Sequence, residues 1–164
     1  MKTSRTLLAS VASAVAVATT AAVGAIGTDP KRPWYRALRK PPWQPPPSAF
    51  ALVWTPLYGL IGFAGARVLS RTAGPARAGF ATLLGTDLVL NAGWTWLFFR
   101  ARRPDAALVE LSVLQGANLA LAARALREDR TAGIALLPYV AWSGFAAALN
   151  ASIVRRNPRE LSGV

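Results

Sequence analysis

The sequence predicts an all-α membrane protein, a single domain in which a bundle of five transmembrane helices carries a proline-rich first loop. Apolar residues make up 53% of the 164-residue chain and charged residues only 16%, which is more apolar than soluble domains of this size. Five apolar stretches come near the roughly 20 residues that a helix needs to cross the hydrocarbon core of a bilayer. Over such a stretch, only a helix satisfies its own backbone polar groups.

The five predicted helices are separated by connections of unequal length. They span residues 7–28, 48–66, 78–99, 106–123 and 131–154. Because the last three connections are short, sequential helices should pack as antiparallel neighbours. The first connection, residues 29–47, holds six prolines after Pro30. It is therefore expected to be a semi-rigid, largely extended cover instead of a helix.

The first apolar stretch has two interpretations. Lys2 and Arg5 precede it, and small residues lie near its end from Ala21 to Gly27. That arrangement fits a cleaved secretory leader about as well as a first membrane helix. The local pattern leaves both open.

The charge distribution indicates lipid as the partner of the basic residues. A net charge of +12 would suggest nucleic acid if the protein were soluble. Here the basic residues lie in short clusters between apolar stretches, as expected for loops beside anionic headgroups. We expect membrane lipid and no nucleic acid as a partner. Eleven Lys and Arg lie on the side of the first loop and the C-terminus and eight on the other, which places the proline-rich loop and the C-terminus on the cytoplasmic face.

Two missing residue types exclude most familiar chemistry. The chain has no Cys and no His. It therefore lacks disulfides, thiolates, the usual zinc ligands, the usual near-neutral general base and the two commonest strong protein ligands of haem iron. No metal site and no required cofactor are expected.

A long aromatic and proline pattern carries a family resemblance. Residues 34–58 match WYxxLxKPxWxPPxxxFxxVWxxLY without a gap. This resembles the first loop and second helix of the TspO/MBR family (translocator protein, tryptophan-rich sensory protein). The third to fifth helices resemble the family's in order, at Leu90-Asn91, Trp94, Phe98-Phe99, Pro104, Ala107-Leu108, Leu137-Pro138-Tyr139, Trp142, Phe145 and Leu149-Asn150.

The resemblance implies a fold, a ligand class and several contact residues. It implies a five-helix bundle that keeps its first helix, commonly forms a homodimer, and has a pocket under the first loop. That pocket binds porphyrins such as protoporphyrin IX, haem, and other hydrophobic small molecules. The family's ligand contacts, where they match, fall at Tyr35, Trp54, Asn91, Trp142 and Ala146.

The residue chemistry agrees with a porphyrin pocket. A porphyrin is a flat aromatic plate with an acidic edge, so it favours aromatic rings and nearby basic groups. The first loop supplies both, since Trp34, Tyr35 and Trp43 lie among Lys31, Arg32, Arg36, Arg39 and Lys40. An interfacial aromatic belt beside headgroup-facing cations would give the same pattern.

Three helices also carry large side chains on one face. Helical spacing aligns Trp54 with Tyr58, then Asp87 with Asn91, Trp94 and Phe98, and then Trp142 with Ala146. For any single tryptophan, ordinary core packing is the alternative. The predicted ligand-binding residues are Tyr35, Trp43, Trp54, Tyr58, Asp87, Asn91, Trp94, Phe98, Trp142 and Ala146.

Two carboxylates lie within the predicted helices. Asp87 departs from the family, which usually has Gln at this position, and an intramembrane carboxylate requires a partner, a water-filled cavity or a proton. Glu110 lies nearer a helix end, so it is expected to reach the interface or to pair with Arg102 or Arg103.

These features favour an integral membrane tetrapyrrole-binding protein that acts in porphyrin transport, sensing or regulation. Because haem would find neither His nor Cys, metal-free porphyrin should bind comparably well. One alternative is a light-dependent porphyrin-degrading enzyme in which Trp54 or Trp142 exchanges an electron with the excited porphyrin. Another is a small-molecule exporter that uses Asp87.

Overall fold

The computed structural model describes residues 2–158, which are helical over most of their length. The described residues form six α-helices, and a π-helical turn, Trp96–Arg100, continues the fourth. The α-helices are α1 (Lys2–Gly27), α2 (Pro33–Ala37), α3 (Pro47–Arg71), α4 (Gly74–Thr95), α5 (Pro104–Glu128) and α6 (Arg130–Arg156). The predicted all-helical class is confirmed.

Proline and one carboxylate explain where the helices begin. α2, α3 and α5 each start on a proline, whose fixed φ and missing N–H suit the first helical position. α6 starts after Asp129, whose Oδ1 accepts a hydrogen bond from the Ala132 N–H at 2.9 Å. This is an N-terminal cap. The connections between α3, α4, α5 and α6 are short. α5 packs extensively against α6.

Four of the described helices, α1, α3, α5 and α6, are long and apolar enough to cross a membrane. α4 has 22 residues and packs against α1, α3 and α5. Its mean hydropathy is lowered by Asp87 and Asn91, whose exposed fractions are only 0% and 5%. The polar residues of α4 therefore face the inside of the bundle.

The first connection differs from its expected extended form. The prediction that it contains no helix is wrong at α2, because Pro33 starts a helical turn. The Lys40 ammonium donates hydrogen bonds to the carbonyl oxygens of Tyr35, at 2.5 Å, and Leu38, at 3.1 Å. These bonds satisfy carbonyls at the end of that turn.

The long helices also extend beyond the apolar stretches that predicted them. α3 continues to Arg71 and α5 to Glu128. Arg67 and Arg71 both form ion pairs with Asp129 at the start of α6. Charged side chains at helix ends are tolerated where they find a partner or reach the interface, so the helices continue beyond the apolar stretches.

α1 and α3 approach each other closely through small residues. The Ser13 hydroxyl donates a hydrogen bond to the Gly62 carbonyl at 2.9 Å, and Ser13 is 1% exposed. A Cβ added to Gly65 would lie 2.3 Å from the Ser13 Oγ and 3.0 Å from a methyl group of Leu84. Small residues and interhelical hydrogen bonds of this kind hold helices together in lipid.

This contact predicts that Gly65→Ala destabilises the protein while Gly59→Ala does not. The new methyl group at residue 65 must displace Ser13, which costs about 1–3 kcal/mol of unfolding free energy. Both substitutions favour helix equally, and a Cβ at residue 59 meets nothing within 4 Å. The measurement is the denaturation midpoint of each variant in detergent. Equal midpoints for the two variants would contradict the packing described here.

Candidate functional site

A cavity of about 370 Å³ lies among α1, α3, α4 and α6, under the segment that connects α1 to α3. Its volume is within the range of roughly 300–1,000 Å³ typical of small-molecule sites. The wall is mainly apolar and aromatic. It is formed by Ala21, Gly24, Ala25, Thr28, Pro30, Tyr35, Gln44, Pro47, Phe50, Ala51, Trp54, Tyr58, Asn91, Trp94, Thr95, Phe98, Phe99, Ala146, Leu149, Asn150 and Ile153.

The structure brings most of the predicted ligand-binding residues together at this cavity. Those that line it are Tyr35, Trp54, Tyr58, Asn91, Trp94, Phe98 and Ala146. The other three, Trp43, Asp87 and Trp142, do not. Trp43 and Trp142 both pack against Phe145, with ring centroids 5.8 Å and 5.1 Å from it. Asp87 is buried behind the wall with no exposed surface.

The end of α4 supplies one aromatic wall. Trp94 and Phe98 lie with ring centroids 5.3 Å apart, and Phe98 contacts Phe99 at 4.9 Å. The π-helical turn changes the helical register here, so two consecutive phenylalanines, Phe98 and Phe99, are both buried. π-helical turns often mark functional sites because they redirect side chains in this way.

α3 supplies the facing wall. The rings of Trp54 and Tyr58 stack with centroids 5.2 Å apart and an interplanar angle of 28°. Trp54 also meets Tyr139 of α6 edge to face at 6.1 Å. Aromatic surface is thus available on two sides of the cavity.

A chain of hydrogen bonds leads from the cavity wall to Asp87. The Tyr58 hydroxyl donates to Asn91 Oδ1 at 2.9 Å, and Asn91 Nδ2 donates to the Tyr139 hydroxyl oxygen at 2.9 Å. The Tyr139 hydroxyl donates to Asp87 Oδ2 at 3.1 Å. The buried Asp87 carboxylate therefore has a tyrosine as its hydrogen-bond partner, and a buried carboxylate requires such a partner.

Three cavity-lining side chains have polar atoms without a partner. Gln44 Oε1, Trp94 Nε1 and Asn150 Oδ1 are buried and form no hydrogen bond within residues 2–158. Buried polar atoms are normally satisfied, so such atoms require an explanation. Gln44, Trp94 and Asn150 therefore hold unused hydrogen-bonding capacity beside the cavity.

The cover over the cavity is held by two side chains. Asn157, at the end of α6, accepts a hydrogen bond from the Arg39 N–H at 2.8 Å and donates one to the Arg39 carbonyl at 3.0 Å. Next to it, Leu38 is 4% exposed and packs in the cluster that contains Phe98 and Phe99. The cover is thereby fixed to α6 and to the aromatic wall.

Burial changes the proton affinities of two groups in the cover. It lowers the pKa of Lys40, whose ammonium lies 4.5 Å from the centre of the Tyr35 ring. It raises the pKa of Tyr35, which stays neutral and accepts a hydrogen bond from Gln44 at 3.2 Å. Because Lys40 already binds backbone carbonyls, the exposed Lys31, Arg36 and Arg39 are the better placed cations for an acidic ligand.

Sequence reasoning missed the contribution of α1. Ala21, Gly24, Ala25 and Thr28 line the cavity, and a Cβ on Gly24 would lie 3.8 Å from the Tyr58 hydroxyl. The sequence did contain a signal for this contribution: the run of small residues from Ala21 to Gly27, which also resembles a leader cleavage site. In the structure, their small size leaves space between α1 and the rings of α3 and α4.

The prediction that Glu110 reaches the interface or pairs with Arg102 or Arg103 is wrong. Arg103 pairs with Asp105 at 2.9 Å instead, and neither carboxylate oxygen of Glu110 has a hydrogen-bond partner among the described residues. Glu110 faces Gly93 of α4, where an added Cβ would lie 3.8 Å from its Oε1. It therefore lies against a neighbouring helix.

Comparison with known proteins gives consistent matches along the chain. The model of the TspO/MBR family matches residues 10–156. The chain is 36% identical to the translocator protein of Ovis aries, over 79% of this chain and 78% of that protein. It is 34% identical to the tryptophan-rich protein TspO of Chlorobaculum tepidum, over 76% and 80% of the two chains. It is also 34% identical to protein CrtK of Rhodobacter capsulatus, over 89% and 91%.

The cover contact predicts that Asn157→Ala loosens residues 38–40. The Arg39 N–H loses its acceptor, so its hydrogen exchange should accelerate about tenfold. Asn157→Asp is the matched control, because it keeps an acceptor for that N–H and should accelerate exchange less. Exchange measured by mass spectrometry on the intact protein in detergent reports both. Unchanged exchange in the alanine variant would show that the cover is held elsewhere.

Proposed function

Since the chain belongs to the TspO/MBR family of membrane proteins, we propose that it binds tetrapyrroles in the cavity under its first connection and acts in their transport, sensing or regulation. One observation carries the proposal. The cavity has aromatic walls on α3 and α4, and three of its lining residues, Gln44, Trp94 and Asn150, carry buried polar atoms without a partner among the described residues. A porphyrin matches this lining, because it combines a large π-face with peripheral carboxyl groups that can form hydrogen bonds.

The charges around the cavity support an acidic ligand. The cavity lies at the end of the bundle where Lys31, Arg36 and Arg39 are exposed and where the connection from α4 to α5 carries Arg100, Arg102 and Arg103. Basic groups at the opening would attract the propionates of a porphyrin. Tyr35, which lines the cavity, supplies a neutral hydroxyl below them.

The absence of His and Cys restricts how haem would bind. Its iron would gain neither of the common strong protein ligands, so affinity depends on shape, stacking and hydrogen bonds. We therefore propose that protoporphyrin IX binds about as well as haem and that no cofactor is required.

We propose that five helices cross the membrane: α4 crosses in addition to α1, α3, α5 and α6. α4 contacts α1, α3 and α5 and turns Asp87 and Asn91 inward, which allows a helix with polar residues to lie in lipid. Five crossings place the termini on opposite sides, and the count of basic residues puts the cavity cover and the C-terminus on the cytoplasmic face. A homodimer is part of the same proposal.

Blocking the cavity should weaken porphyrin binding. Ala146 lines the cavity on α6, whereas Ala148 is exposed on the same helix. Ala146→Leu inserts three carbons into the cavity and should weaken protoporphyrin IX binding by about tenfold, while Ala148→Leu should leave it unchanged. The measurement is tryptophan-fluorescence quenching during titration of the purified protein in detergent. If the wild type shows no saturable quenching, or if both variants match it, the assignment fails.

Light-dependent porphyrin breakdown is a second candidate, favoured by the position of Trp54. Its ring lines the cavity, whereas Trp142 does not, so Trp54 is the tryptophan that a bound porphyrin would meet. Illumination of the complex should then bleach the porphyrin spectrum in the wild type and much less in Trp54→Phe, with Trp142→Phe as the matched control. Bleaching at equal rates in all three proteins would exclude a role for Trp54.

A further inference from the structure

The hydrogen-bond chain behind the cavity has a single direction. Each donor in it points away from the cavity: Tyr58 donates to Asn91, Asn91 to Tyr139, and Tyr139 to Asp87. This is the arrangement that an ionised carboxylate requires, because it only accepts. In this state, the Tyr58 proton is directed at Asn91 and is not available to a ligand.

Protonation of Asp87 on Oδ2 would reverse every bond, and the only heavy-atom movement needed is a half-turn of the Asn91 amide. The carboxyl would donate to the Tyr139 oxygen over the same 3.1 Å. Tyr139 would then donate to Asn91 after a half-turn of its amide, which exchanges Oδ1 and Nδ2 in place. Asn91 Nδ2 would donate to the Tyr58 oxygen, leaving the Tyr58 proton free. A proton on Oδ1 would find no acceptor among the described residues, since that atom has no hydrogen-bond partner.

We propose that Asp87 is a proton site that determines whether Tyr58 offers a hydrogen-bond donor to the cavity ligand. Tyr58 and Asn91 line the cavity, whereas Asp87 and Tyr139 lie behind it with 0% and 1% of their surface exposed. A ligand whose carbonyl or ester oxygen reaches Tyr58 binds more tightly when Asp87 is protonated. By linkage, the bound ligand in turn favours protonation of Asp87. This inference rests on the proposed binding of tetrapyrroles in the cavity.

Few other titratable groups face Asp87. Tyr139 of α6 contacts it directly, and Tyr58 of α3 follows through Asn91. On α5, Glu110 faces Gly93, six residues further along α4 and therefore about 9 Å away along the helix axis. Between residues 6 and 28, α1 carries no ionisable side chain. The arginines at the end of α3 pair with Asp129.

The test is the affinity of protoporphyrin IX dimethyl ester as a function of pH, measured on the full protein in detergent. The ester keeps the carbonyl acceptors but has no carboxyl groups that titrate. The wild type should bind about fivefold more tightly on the acidic side of the transition, the effect of one neutral hydrogen bond. Asp87→Asn, whose amide donates permanently to Tyr139, should keep the tighter affinity at every pH.

Three further variants separate the effect of the hydrogen-bond chain from other causes of a pH-dependent affinity. Tyr139→Phe interrupts the chain behind the cavity wall and should abolish the pH dependence. Tyr58→Phe removes the final donor and should keep the weaker affinity at every pH. Glu110→Gln removes another carboxyl whose oxygens are buried; because Glu110 is outside the chain, this variant should retain the wild-type pH dependence.

The outcomes distinguish failure of this inference from failure of the proposed tetrapyrrole binding. Saturable binding that is independent of pH in the wild type, or a pH dependence that survives in Asp87→Asn or Tyr139→Phe, would overturn the inference and leave the binding site standing. Absence of saturable binding by the free acid and the ester at every pH would overturn both.

Discussion

Helices in a bilayer gain little by hiding apolar surface from hydrocarbon, so close contact of small residues and buried hydrogen bonds must hold this bundle together. The protein uses both. Ser13 joins α1 to α3 at Gly62, and the chain from Tyr58 to Asp87 joins α3, α4 and α6. With the helices joined in this way, the small residues near the C-terminal end of α1 leave a cavity between the aromatic walls of α3 and α4 instead of a closed core.

The same constraint links the fold to the chemistry of the site. An amide and a tyrosine hydroxyl that connect helices also form part of the cavity wall, so a ligand at Tyr58 meets the network that stabilises the bundle. The carboxylate at the end of that network is costly in a membrane unless it is hydrogen-bonded or protonated. In the proton response that we propose, the cavity would therefore use an element that the fold already needs.

Much of this arrangement could be predicted from periodicity and composition. The apolar stretches indicated the long helices, and helical spacing placed Trp54 with Tyr58 and Asn91 with Trp94 on the faces that now line the cavity. The helical turn at Pro33 could not be predicted, because it depends on Lys40 folding back onto the carbonyls of Tyr35 and Leu38. Trp142 and Trp43 share residue type with the cavity aromatics, but only the packing around Phe145 places them outside it. The role of α1 was hidden because small residues signal a cavity only once their neighbours are known.

The most direct test of the proposed site is a structure of the protein determined with protoporphyrin IX. The proposed site would hold the porphyrin ring between Trp54 of α3 and Phe98 of the π-helical turn, with polar atoms reaching Gln44, Trp94 or Asn150 and the propionates toward the exposed arginines of the cover. A porphyrin bound on the lipid-facing surface, with the cavity wall unchanged and its polar atoms still without partners, would contradict it.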